Sequence, residues 1–291
     1  MSERTLPGPP STLGLYARAA IGSVPLAGKL PFFPGGGGDL PEGDLVLSDV
    51  KVRTGRLASY CDVCSFTMRD TLPATYPHIL AFPLHMALMT QGDFPFPAVG
   101  LVHLQNRIAQ RRPIRVTEQL EIHVSAGDEK PHPKGKTFAL QTTVLSGGET
   151  VWESDSINLR RGKGDESAED SGPSFDPDLG TEAEWSLPGD LGRSYGGVSG
   201  DRNPIHMYGL TAKALGFPRQ IAHGMWTKAR CVAALEPRLP GAFEVEVAFK
   251  RPILLPSKVE FGSGESNGAI TFGVSAKRDG EPHLAGKAAP L

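Results

Sequence analysis

Cysteine is scarce, charge of one sign is missing, and no long apolar run occurs. Three cysteines in 291 residues cannot form a disulfide framework, which places the chain in a reducing compartment. Thirty Lys and Arg against 32 Asp and Glu leave a formal charge of −2, without the basic footprint of a nucleic-acid binder, so nucleic acid is excluded as a partner. The most apolar stretch, Ile79 to Met89, is interrupted by Pro83 and His85. It is far shorter than the roughly 20 residues a bilayer requires, so no membrane span is expected. Pro7, Pro9 and Pro10 occupy the place of a signal peptide's apolar core, and Arg18 breaks the run that follows. A cytoplasmic protein is therefore expected.

What is present begins with size. Apolar residues make up 39% of the chain, enough to fill cores. A length of 291 exceeds the roughly 100–200 residues of one domain, which suggests two units. An internal repeat supports this. Arg112-Pro113-Ile114 returns as Arg251-Pro252-Ile253, 139 residues on; Tyr76-Pro77 returns as Phe217-Pro218, 141 on; Tyr60 and Val63 return as Tyr195 and Val198, 135 on. Three matches in one order at a nearly constant offset point to duplication.

Each copy has one apolar helix, about Pro83 to Gln91 and about Gly224 to Leu235, followed by strands. The strands are expected near Val99–Ile108, Val116–Ser125, Phe138–Leu145 and Val151–Leu159, then Phe243–Phe249, Lys258–Gly262, Ala269–Ala276 and His283–Lys287. Alternation such as Leu120, Ile122, Val124 against Glu121 and His123 puts apolar side chains on one face. One helix over one antiparallel sheet is an α+β layer. The expected organisation is a flexible segment over 1–40, a first unit over 41–160, a linker over 161–180 and a second unit over 181–291. Gly35–Gly38 reads as a loop, since no Lys-Ser or Lys-Thr follows and Asp39 would repel a phosphate.

The copies differ in polar chemistry. Aligned on the repeat, Asp201 faces Phe66, Asn203 faces Met68, His206 faces Thr71, and His223-Gly224 faces Phe82-Pro83. Pro204 biases Asn203 to an extended conformation, so Asn203 reads as an N-cap and Pro204 as the first helical residue. Asp201 then lies in the preceding loop and His206 in the first turn, able to share one cleft. Capping alone would also explain Asp201 and Asn203, and His206 alone reads equally as a packed histidine. The helix that opens at His223-Gly224 adds free N–H groups able to hold an oxyanion, whereas Pro83 has none to offer. Cys61-Asp62-Val63-Cys64 has redox or zinc spacing but no second cysteine pair, so ordinary thiols are expected. Trp226 and Met225 read as helix core. Arg107, Arg111, Arg112 and Arg115 suit either anionic phosphates, an acidic protein face, or plain solvation.

Ser199-Gly200-Asp201-Arg202-Asn203-Pro204-Ile205-His206 followed by Ala222-His223-Gly224-Met225 resembles the hydratase-2 motif of MaoC-like (R)-specific enoyl-thioester hydratases and dehydratases. Thr75-Tyr76-Pro77, Phe82-Pro83, Asp93-Phe94-Pro95-Phe96 and Gln110 to Ile114 are similar to the actinobacterial double-hotdog dehydratases of this group. The resemblance implies two hotdog units, a degenerate first and a catalytic second. It implies reversible hydration between trans-2-enoyl and (3R)-3-hydroxyacyl thioesters in fatty-acid metabolism, carried by coenzyme A or acyl carrier protein, without metal or organic cofactor. Asp201 and His206 would be the catalytic pair, Asn203 would position the loop and water, and the Gly224 N–H would form the oxyanion hole. Ser199, His223, Met225, Phe66 and Met68 would contact substrate, the last two by lining an apolar pocket for a longer acyl chain. A hotdog thioesterase and a non-catalytic acyl-thioester-binding protein are the competing readings. A metal held by Asp201, His206 and His223 is another. A homodimer and a monomer both stay open.

Overall fold

The computed structural model describes residues 3–12, 14–16, 39–98, 100–168 and 172–291. The Gly35–Gly38 loop and most of the expected flexible segment 1–40 lie outside these residues. Part of that segment is a strand, since β1 (Glu3–Thr5) pairs in parallel with β2 (Asp44–Val50).

Two compact units form, the first from residues 1–52, 77–104 and 117–171, the second from 53–76, 105–116 and 172–291. The contiguous division at 161–180 is thus modified. Segments 53–76 and 105–116 group with the second unit, because their hydrogen bonds run there. The indole Nε1 of Trp226 donates to the Val63 carbonyl at 2.9 Å, and Arg56 donates to the carbonyls of Val198 and Ser199 at 2.8 and 3.0 Å.

Along the chain the element order repeats. β2, α1 (Thr54–Cys64), α2 (Tyr76–Met89), β3 (Val102–Gln110), β4 (Leu120–His132), β5 (Gly135–Ser146) and β6 (Glu149–Arg161) come first. Then come β7 (Thr181–Leu187), α3 (Leu191–Ser199), two short helices α4 (Pro204–Met207) and α5 (Gly209–Ala214), α6 (Gly224–Leu235), β8 (Phe243–Phe249), β9 (Ser257–Ser266), β10 (Ala269–Ala276) and β11 (Pro282–Pro290). α4 and α5 have no counterpart in the first copy, and α4 holds His206.

The first unit orders its strands β1-β2-β4-β5-β6, antiparallel after β1. Leu120, Ile122 and Val124 are buried as their alternation requires. α2 begins at Tyr76 and runs through Pro83, where the sequence places a helix start. The proline forfeits the bond to the Ile79 carbonyl. Burial of Ile79, Leu84, Met86 and Leu88, worth roughly 1.5–3 kcal/mol each, outweighs that loss. No helix N-terminus therefore exists at Pro83, a stronger reason than the missing N–H for the first copy to lack an oxyanion site. On α2 the buried His85 Nε2 meets Thr142 Oγ1 of β5 at 2.7 Å.

In the second unit the order is β8-β11-β10-β9-β7, and Gln105–Gln110 of β3 pairs antiparallel with β8. α6 buries Met225, Trp226, Ala229, Val232 and Leu235. Lys228 lies among them, fully buried, and pins the helix to the sheet. Its Nζ donates to the carbonyl and Oδ1 of Asn106 at 2.9 and 2.6 Å and to the Val245 carbonyl at 3.0 Å. Three acceptors use all three ammonium hydrogens, while burial pulls the amine well below its usual value. An antiparallel sheet carrying one long apolar helix is the α+β unit expected, and it occurs twice.

Candidate active site

The site is assembled where α3, α4 and the start of α6 meet. α3 supplies a bed of small residues. A methyl group on Gly192 would overlap the His206 carbonyl oxygen, and one on Gly196 would meet the Asp201 carbonyl oxygen at 2.8 Å. The two glycines are four apart, on one helix face, so the Asp201–His206 loop lies directly on the α3 backbone.

After α3 the chain turns at Gly200, with φ 85°, and the Asp201 N–H donates to the Ser199 hydroxyl at 3.0 Å. Ser199 is buried and shapes the turn. The Asn203 N–H donates to Asp201 Oδ1 at 3.1 Å, and Asn203 Oδ1 accepts from the Ile205 N–H at 3.4 Å. Asn203 is extended, φ −53° and ψ 126°, and Pro204 is the first residue of α4, as the sequence predicts. Asp201 thereby uses one carboxylate oxygen to brace its own loop. His206 is buried, and its Nδ1 donates to the Ile221 carbonyl at 2.8 Å. A carbonyl only accepts, so the proton sits on Nδ1 and the Nε2 lone pair is left for chemistry. Ile221 is itself fixed, its N–H donating to the Ile205 carbonyl at 3.1 Å.

His223 caps α6 without a side-chain bond to it. The first-turn N–H groups, from Gly224 onward, have no intrahelical acceptor. Gly224 is also closely packed, since a methyl there would meet the Phe249 ring at 3.0 Å and push it aside. His223 donates from Nε2 to the Asp201 carbonyl at 3.1 Å and lies 3.8 Å from Asp201 Oδ2. Its ring stacks on His206 at 3.7 Å between centroids and touches Tyr195 at 4.8 Å. Tyr195 in turn leans on Tyr60, its repeat counterpart, at 6.3 Å. A carboxylate oxygen of Asp201 and one nitrogen each of His206 and His223 lie within 4.8 Å of one another.

Burial lowers the pKa of His206 below 6.5, partly opposed by Asp201 and the Ile221 bond, so the imidazole is neutral. Burial, with His206 as neighbour, pushes His223 down to about 3. One metal ion does not fit this set. Imidazole lone pairs lie in the ring planes. Two rings stacked 3.7 Å apart at 26° do not bring those planes together within the roughly 2 Å reach of a metal–nitrogen bond. The arrangement suits a water and a proton.

The structure also places the other residues that the sequence singles out. Phe66 lines a cavity of about 150 Å³ in the second unit, with Leu72, Val232 and Phe243. Met68 does not line it; its side chain is 45% exposed and rests against Cys61 Sγ at 3.9 Å. Met225 is core on α6. Arg107 is paired with Glu244 at 2.5 Å and Arg115 with Asp70 at 3.0 Å, so that basic cluster is partly neutralised by its own chain. Cys61 and Cys64 are buried thiols on α1, Cys61 pushed up to about 11, which is inert chemistry. Sequence reasoning missed Gly192, Gly196, Tyr195 and Ile221. The Gly-rich character of residues 192–200 hinted at the two glycines, the repeat matched Tyr195 to Tyr60, and nothing marked the Ile221 carbonyl.

The buried imidazoles set an acid limit on stability. His85, like His223, is held at about 3 in the fold by burial, against about 6.5 when unfolded. Between those values the unfolded chain binds the extra protons. Stability is therefore complete above about pH 6.5 and falls as pH drops toward 3, by about 1.4 kcal/mol per pH unit for each ring. Urea midpoints should fall between pH 7 and pH 5, and His85→Leu should show a shallower fall. An unchanged slope in that variant would contradict a neutral His85.

A family model described as the MaoC like domain matches residues 175–280. The chain is 34% identical over 278 residues to the 3-hydroxyacyl-thioester dehydratase X of Mycobacterium tuberculosis, spanning 94% of this chain and 96% of that protein. The crystal structure of HtdX from that organism superposes with a TM-score of 0.77 at 31% identity, covering 85% of this chain and all of the other. A further M. tuberculosis protein, described as having a double hotdog fold, matches at a TM-score of 0.55 and 13% identity over 88% of this chain and 98% of its own. With its repeated sheet-and-helix unit and its Asp201–His206 loop, the chain belongs to the MaoC-like dehydratase family of double-hotdog proteins.

Proposed function

We propose that the protein is a hydro-lyase interconverting trans-2-enoyl and (3R)-3-hydroxyacyl thioesters in fatty-acid metabolism, acting in the cytoplasm on an acyl group borne by coenzyme A or acyl carrier protein. One observation carries this reading. A neutral His206 with its Nε2 free of the Ile221 bond shares a 4.8 Å cluster with the Asp201 carboxylate, beside the first turn of α6. The duplication is read as a first copy that lost these groups and a second that works.

In hydration, a water lies between Asp201 and His206. His206 Nε2 takes one proton as the water oxygen bonds to C3, while the Asp201 carboxylate accepts the other hydrogen and aligns the lone pair. The electron pair of the C2–C3 double bond moves toward the thioester oxygen, which the Gly224 N–H holds as an enolate. The His206 imidazolium then delivers its proton to C2 from the same face, restoring the neutral ring. Dehydration is the reverse. Water is added as a hydroxyl at C3 and a proton at C2, and both side chains end as they began, so the thioester's own acidity at C2 suffices and no cofactor is consumed.

Crotonyl-CoA incubated with the protein and a thiol reagent tests this. The expected result is loss of enoyl absorbance with formation of 3-hydroxybutyryl-CoA and no free thiol. Thiol release at the rate of substrate loss would establish a thioesterase instead, and binding without turnover would leave an acyl-thioester-binding protein.

A further inference from the structure

Exposed apolar side chains are concentrated on one short segment. Among the described residues the strongly exposed large hydrophobics are Met68, Tyr208, Leu210, Leu215 and the terminal Leu291, with Leu210 at 82%. Three of these five fall within eight residues around α5. Apolar groups left to water in a cluster mark a contact surface. The segment is built rather than loose. Thr211 Oγ1 donates to the Pro204 carbonyl at 2.6 Å, the Ala212 N–H to the Tyr208 carbonyl at 3.0 Å, and the Arg193 guanidinium to the Met207 carbonyl at 3.0 Å while covering the Tyr208 ring at 5.2 Å.

The same stretch is cationic in a chain of net charge −2. From Leu191 to His223 it carries Arg193, Arg202, Lys213 and Arg219 against Asp201 alone, and Arg202, Lys213 and Arg219 are exposed. It is also next to the chemistry. Tyr208 follows His206 by two residues and Leu210 by four, which limits the separation of Leu210 from His206 to about 14 Å even for an extended chain.

We infer that this surface docks an acidic acyl carrier protein as bearer of the thioester, its apolar side chains seated on Tyr208, Leu210 and Leu215 and its carboxylates facing Lys213, Arg219 and Arg202. The inference rests on the dehydratase reading above and names the bearer. A second copy of this chain fits poorly, because a two-fold interface would set these cations against themselves. Coenzyme A alone would satisfy the cations but leave Leu210 and Leu215 in water. An acidic protein with an apolar helix face satisfies both.

The test separates bearer from chemistry. Binding is read by fluorescence anisotropy with a labelled, crotonyl-loaded bacterial fatty-acid-synthesis acyl carrier protein, and turnover by kcat/KM for crotonyl-CoA. Leu210→Asp, and Lys213→Glu with Arg219→Glu, should each weaken carrier binding by about tenfold or more, while crotonyl-CoA turnover stays within about twofold; wild-type binding should weaken with salt. No binding by wild type, unchanged binding by the variants, or an equal loss with crotonyl-CoA would overturn the inference. A wild type that binds the carrier but hydrates neither thioester would instead refute the dehydratase reading and keep the docking surface.

Discussion

Asp201→Asn and His206→Gln should each lower kcat/KM for crotonyl-CoA hydration by about 10²–10⁴-fold, the range of general acid–base catalysis, in a chain that still folds. Asn at 201 retains an oxygen to accept from the Asn203 N–H, so the turn before α4 keeps its brace. What disappears is the charge that holds the water and balances the imidazolium. Gln at 206 removes the proton acceptor together with the stack on His223, so the rate is to be compared at equal folded fraction. The wild-type rate should fall as pH drops below 6.5, because burial keeps the His206 pKa beneath that value and protonation removes the base. His206→Gln should lose that acid limb along with the rate. Substrate affinity should change little in either variant. A large rise in KM with kcat unchanged would mean that the pair binds substrate and performs no proton transfer.

The second large effect comes from a buried glycine beneath the loop. Gly192→Ala should cost about 10²-fold in kcat, because its methyl overlaps the His206 carbonyl oxygen and α4 must shift. Displacing that backbone also breaks the alignment of His206 Nδ1 with the Ile221 carbonyl, which fixes the reactive tautomer. Packing strain should lower stability by about 1–3 kcal/mol. Gly197 is the control on the same helix. Nothing lies within 4 Å of a methyl there and the residue is exposed, so Gly197→Ala should be neutral or stabilise by up to about 1 kcal/mol. Equal behaviour of the two variants would mean that α3 tolerates a moved loop and that the bed does not set the geometry.

The legible parts of the molecule are those governed by local rules. Pro204 restricts Asn203 whatever surrounds it, so the cap, the short helix and the separation of Asp201 from His206 follow from the six residues Asp201 to His206. β8, β10 and α6 occupy the residues that their patterns predict. α2 shows the limit. Pro83 argues locally for a helix start, and only the apolar surface it helps bury carries the helix through. The Ile221 carbonyl that fixes the His206 tautomer is fifteen residues away, and the stack from His206 through His223 and Tyr195 to Tyr60 joins α4, the cap of α6, α3 and α1. No periodicity reports such contacts. The assignment of 53–76 to the second unit likewise depends on Arg56 and Trp226 reaching across many residues. Phe66 and Met68 looked equivalent as apolar replacements for polar residues, yet one lines a cavity and the other faces solvent.

Whether Asp201 and His206 act as one device is read most directly from a double-mutant cycle in crotonyl-CoA hydration. If they share a single water, either substitution already disables it, and Asp201→Asn/His206→Gln should be about as slow as the slower single variant. A double variant slowed by the product of the two single effects would show two independent contributions, and one retaining wild-type turnover would remove both residues from the reaction.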